Sequence, residues 1–310
     1  MKNRLKNAVQ YLCKRLIQSP LLLGWIILGT IIEVIRNGYK GFIVTIINLI
    51  LLTIFTIIIK VMSNDSTIKV TKEIRHPKFE LFCGVLFYVY SIIVICTCWG
   101  QAKIPYISLG ITNLISIIEK GVFNLGKIGI PEWFLGELRN ASVNTALFLV
   151  PIVILFICLG YGFKKMGFVF TNFNLILILL GLTIVLGLPF GVLFQQPFYK
   201  TIIMFFITIF INALQEELIY RGYLLPRFEV ILKNSINALV IVAILFSMSH
   251  VPSELARGMN IYDAILSQLS IVYPTGLIWG YLYLKTRSIV PGIAWHASNT
   301  ILGIMFGIAQ

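Results

Sequence analysis

Acidic side chains are scarce in this chain. It has 12 Asp and Glu in 310 residues, and only three histidines. Charged residues of both signs make up 12%, against about 25% in an ordinary soluble domain. That shortage excludes a conventional water-facing exterior, which needs polar side chains to cover the core. The five cysteines (Cys13, Cys83, Cys96, Cys98 and Cys158) form no C-x-x-C pair. This excludes a zinc ribbon or a thioredoxin-like centre. Free thiols in apolar runs act as small hydrophobes.

What is present in excess is apolar: 58% of the residues are hydrophobic. Several continuous runs approach or exceed the roughly 20 residues that cross a bilayer core. Such runs fit helices, which satisfy their own backbone groups in lipid, and not the short alternating strands of a membrane barrel. The expected fold is all-α, a polytopic membrane helix bundle of eight to nine transmembrane helices. The spans read at 20–35, 41–62, 79–99, 143–163, 173–194, 200–221, 236–250, 261–284 and 289–309. Residues 4–17 predict an amphipathic helix on the membrane surface, and the stretch after it is read as an uncleaved first span. Residues 100–142 read as a long outer loop lying against the interface. The chain is divided on this basis into 1–140, with the N-terminal helix, spans and outer loop, and 141–310, the main bundle. Gly187-x-x-x-Gly191, Gly276-x-x-x-Gly280 and Gly303-x-x-x-Gly307 are small-xxx-small patterns that allow close helix packing.

The net charge of +13 does not point to nucleic acid. Lys and Arg sit between the apolar runs, not along one soluble face. They concentrate before the first span, at 60–78, and on every second loop after that. This predicts a multi-pass protein of the cell membrane with its N-terminus inside. A composition rich in Ile, Lys and Asn suggests a low-GC bacterium and so its cytoplasmic membrane.

Ionisable groups inside apolar segments are costly and mark function by default. The sixth span ends Asn212-Ala213-Leu214-Gln215-Glu216-Glu217-Leu218-Ile219-Tyr220-Arg221. Adjacent residues on a helix point about 100° apart, so Glu216 and Glu217 meet different neighbours. Arg221 follows Glu217 by four, the favourable order for an ion pair, and Glu217–Arg221 is read as a structural pair. Glu216 is then left without a local countercharge, which suits a general base. The plain alternative is that all three mark a helix end. Two histidines weigh against it. His250 ends the seventh span and His296 lies within the ninth, with Asn299 three residues on and near the same face. His76 sits in a basic loop and is read as solvated.

Glu216-Glu217-x-x-x-Arg221, Phe246-x-x-x-His250 and the His296 motif together resemble the signature of the CAAX protease and bacteriocin-processing (CPBP, or Abi) family of intramembrane proteases. The stretch EELIYRGYLLPRF, Glu216 to Phe228, is an especially close match, and the resemblance covers about 170–305. It implies an intramembrane endopeptidase acting on membrane-associated peptides or proteins. In the roles it implies, Glu216 is the general base and His250 orients the same water. His296 and Asn299 are the oxyanion donors. The family usually has a polar residue four positions after the last His. Thr300 holds that position here, and Asn299 is preferred.

No cofactor is expected. The alternative, since the family has also been called metalloprotease, is Zn2+ held by Glu216, His250 and His296, a His₂Glu set with one open position. No H-E-x-x-H, G-x-S-G or G-x-G-D motif occurs, so other intramembrane protease types fit poorly. A second function reading is a non-catalytic membrane protein such as a bacteriocin self-immunity factor. A third, a transporter, lacks the internal repeat such proteins often show. Expected partners are the lipid bilayer and the substrate. Neither substrate identity nor oligomeric state is legible.

Overall fold

A computed structural model describes residues 10, 14, 17–63, 74–98, 107–170, 173–187, 198–270 and 275–305. Most of the predicted surface helix at 4–17 lies outside the described residues, as do Gly191 and Gly307 of the glycine patterns. The described residues are mostly helical and contain no strand. Among them, five helices are long and apolar enough to cross a membrane. The chain is a multi-pass membrane protein.

α1 spans Pro20–Met62, 43 residues, or about 65 Å of regular helix, twice a hydrocarbon core. Gly38 interrupts it at φ 60, ψ −142, a conformation open to glycine but strained for other residues. The break falls between the two runs expected at 20–35 and 41–62. α2 is Pro77–Cys98, opened by a proline whose missing N–H costs nothing in the first turn. α3 is Ile107–Asn124 and α4 is Glu132–Cys158. The stretch 100–142, expected as a loop, is therefore largely helical. The Arg139 Nε donates to Glu119 Oε1 at 2.9 Å, tying α4 to α3. α5 is Phe173–Gly187.

α6 runs Tyr199–Leu232, eleven residues beyond the expected end at 221, so Glu216, Glu217 and Arg221 lie inside a helix. α7 is Ser235–Met248, α8 Val251–Ala256, α9 Ile261–Leu269, α10 Thr275–Thr286 and α11 Val290–Met305. The single span expected at 261–284 is thus two short helices. Ser270 is extended, at φ −68, ψ 156.

The chain forms two compact units. One comprises 1–101 and 220–287, the other 102–219 and 288–310. In the first, α7 packs on α1, α9, α10 and the 225–232 end of α6. Gly276 and Gly280 face Ala243 and Leu239 of α7, the close approach their spacing predicts. Trp25 Nε1 donates to Leu269 O at 2.8 Å and Tyr88 Oη to Leu245 O at 2.9 Å. Arg227 Nη2 meets Glu80 Oε2 at 2.9 Å with both side chains only 3% exposed. Tyr223 Oη donates to the Glu80 carbonyl at 2.8 Å. Arg287 chelates Glu229 through Nη1 at 2.5 Å and Nη2 at 3.1 Å. In the second unit, α11 packs on α5 and on the 198–213 part of α6, which also packs on α4.

Breaking a buried ion pair leaves an uncompensated charge, at a cost of about 3–5 kcal/mol. Glu80→Ala is expected to lower the thermal midpoint in detergent sharply. The double variant Glu80→Met, Arg227→Met should recover most of the loss. Equal midpoints for Glu80→Ala and the parent would contradict this account.

Candidate functional site

In the second unit, Glu216 and Glu217 of α6 both reach His296 of α11. Glu216 Oε2 lies 3.5 Å from His296 Nε2, and Glu217 Oε1 lies 3.4 Å from His296 Nδ1. Whichever ring nitrogen carries the hydrogen, it faces a carboxylate acceptor. The side chains differ in access: Glu216 is 25% exposed, while Glu217 is 1% and His296 5%. Glu216 is the carboxylate open to a reactant, and Glu217 is sealed in.

The helix is irregular here. Ile209–Ala213 and Glu217–Leu224 are wide, i→i+5 turns on either side of Glu216. Such turns often occur at functional sites. Across from them, Gly292 sits against Glu217: a Cβ at Gly292 would lie 2.6 Å from Glu217 Oε2. One turn further along α6, Asn212 Nδ2 reaches Thr300 Oγ1 at 3.5 Å. The Thr300 hydroxyl itself donates to His296 O at 3.1 Å. Asn299 lies half-buried on α11, three residues after His296.

The other expected residues lie in the first unit. His250 is half-buried at the junction of α7 and α8. Pro252 has no N–H to bond the carbonyl four residues back, so the helix bends there, with His250 at φ −90, ψ −9. Its Nδ1 is 3.0 Å from Phe246 O. A carbonyl only accepts, so Nδ1 carries the hydrogen. The ring packs edge-on to Phe246, 5.0 Å between centroids. Arg221 is 1% exposed. Its guanidinium stands over the rings of Phe246 at 4.6 Å and Trp279 at 5.5 Å. Its Nη2 donates to Gly276 O at 3.3 Å.

Residues 198–302 match the family described as type II CAAX prenyl endopeptidase Rce1-like. The similarity to that family is confined to this segment, about a third of the chain. The segment contains all six residues singled out from the sequence: Glu216, Glu217, Arg221, His250, His296 and Asn299. The uncharacterized protein YyaK of Bacillus subtilis is 32% identical to this chain over 97 residues, which cover 31% of this chain and 30% of that protein. No solved structure matches significantly.

Sequence reasoning placed Glu217 with Arg221 and did not foresee its contact with His296. The signal was available in the sequence as Gly292, four residues before His296, the spacing of residues that share a helix face. Among the described residues no group of three or more His, Cys, Asp or Glu could hold a metal ion.

Gly292→Ala should force the Glu217 carboxylate away from His296. Displacement of a positioning group by about 1 Å can cost on the order of 10²-fold in rate. A loss of that size in peptide cleavage, with helix content by circular dichroism unchanged, is the expected result. Parental cleavage by Gly292→Ala would mean that the carboxylate's position is immaterial.

Proposed function

We propose that this protein is an intramembrane endopeptidase that hydrolyses membrane-associated peptides or proteins with a water activated by Glu216. The observation that carries the reading is the pairing of a half-open carboxylate with a buried imidazole inside an apolar helix bundle. Ionisable groups are kept at such depth at a cost, and default to function.

Glu216 takes a proton from water, and the oxygen forms a bond to the carbonyl carbon of the scissile peptide. The negative charge passes to the carbonyl oxygen. His296 and the Asn299 amide donate to that oxyanion, the kind of preorganised donor worth about 10²–10³ in rate. The carbon–nitrogen bond then breaks, and the Glu216 proton passes to the leaving amine. The products are a free carboxylate and a free amine. Thr300 directs its hydroxyl hydrogen at the His296 carbonyl, which supports Asn299 over Thr300 as the second donor. Glu217 is a positioning residue that holds the His296 ring through Nδ1. The resemblance assigns His250 to the same reaction, orienting the water.

We favour metal-free chemistry, in which His296 donates to the oxyanion through Nε2 while Nδ1 faces Glu217. The protein is proposed to reside in the bacterial cytoplasmic membrane, N-terminus inside.

Purified protein in detergent should cleave a membrane-anchored peptide. Glu216→Ala and His250→Ala should each lose about 10³-fold or more in rate, as removal of a reacting group does, while melting like the parent. Full biological activity in Glu216→Ala would instead support a self-immunity factor or scaffold. Stoichiometric zinc in the active protein, with loss of cleavage on chelation, would overturn the metal-free mechanism.

A further inference from the structure

We propose that the inner face of α6 carries a file of water molecules from the Thr201 end of the helix to Glu216. The inference deepens the reading above: it rests on that reading for the use of the water, and on geometry alone for its presence.

Thr208, Asn212 and Glu216 lie 7, 11 and 15 residues on from Thr201; the first two intervals are near multiples of 3.6 and the i→i+5 turn at Ile209–Ala213 takes up the excess of the third, so the four share one helix face. Each holds a side-chain oxygen sealed from solvent that makes no hydrogen bond among the described residues: Thr201 Oγ1, Thr208 Oγ1, Asn212 Oδ1 and Glu216 Oε2, the last standing 3.5 Å from His296 Nε2. Thr208 is 0% exposed. Four such atoms on one line are too costly for chance. Lipid cannot satisfy them, and buried water satisfies such groups by bonding two to four of them at once.

The face is shared with α11. Asn212 meets Thr300 and Glu216 meets His296, two rungs four residues apart on both helices, so a polar seam runs between the pair. The wide turn Ile209–Ala213 lies within this row, and widened turns are where water inserts into a helix ladder. The groups are two hydroxyls and an amide with a single carboxylate at the inner end, a set that suits neutral water and not an ion. From Thr201 to Glu216 the rise is about 22 Å, the depth a reactant must travel to reach a carboxylate held inside an apolar bundle.

The test is thiol accessibility, in full-length protein in membranes with its native cysteines replaced by serine. Silver ion, small and charged, reacts with thiols only where water leads. Thr208→Cys should react at least about tenfold faster than Phe206→Cys, whose position is apolar and outward, because lipid excludes the ion. Equal rates would overturn the water file, whatever the protein cleaves. In cleavage assays Thr208→Val should lower kcat about tenfold with KM unchanged, the loss of a step after binding, and Thr208→Ser should restore it. Fast silver reaction with parental kcat in Thr208→Val would overturn the supply role. If no form of the protein cleaves peptide, fast silver reaction still upholds the file, and only the protease reading fails.

Discussion

Glu216 and Glu217 are neighbours in the chain, yet in this bundle one imidazole meets both. A carboxylate removed from water needs a donor or a countercharge. His296 stands between the two, Nε2 toward Glu216 and Nδ1 toward Glu217, and both carboxylates reach it only because adjacent helical residues diverge. α11 must come close enough for this, and Gly292 permits it by placing no side chain against Glu217. The Asn212–Thr300 contact repeats the approach one turn away. The seam between these two helices therefore sets the chemistry, and α4 and α5 serve to pack behind it.

The two carboxylates are chemically alike but differently placed. Glu217 is fixed on all sides, so it can orient a ring but cannot meet a substrate. Glu216, partly open, can exchange protons with a reactant. Division of labour by burial alone is a common way for one residue type to fill two roles.

Much of this was legible in the sequence. The apolar runs marked the helices, and the break between the first two followed from the Arg36-Asn37-Gly38 interruption. The motif residues stood out because charge is so rare here. Other parts were not legible, for identifiable reasons. Ile107–Asn124 is rich in β-branched residues and glycine, which are poor helix formers, and its Glu119–Arg139 tie is tertiary. A span read from the sequence stops at Arg221, because charge normally ends a span, whereas α6 runs on to Leu232. It continues because Arg227 finds Glu80 and Glu229 finds Arg287, partners distant in sequence. The Glu217–His296 contact depends on two helices about eighty residues apart in the chain, and i,i+4 spacing to Arg221 offered a nearer explanation.

The wide turns of α6 have a consequence for how its motif should be counted. A turn closed by i→i+5 bonds holds one residue more than a regular turn would use. Everything beyond it is rotated by that extra residue, about 100° on a helix. Glu216 therefore owes its direction to the number of residues ahead of it as much as to its own identity. Deleting one residue from Ile209–Ala213 could leave a longer, more regular helix in which every motif letter survives and the carboxylate faces elsewhere.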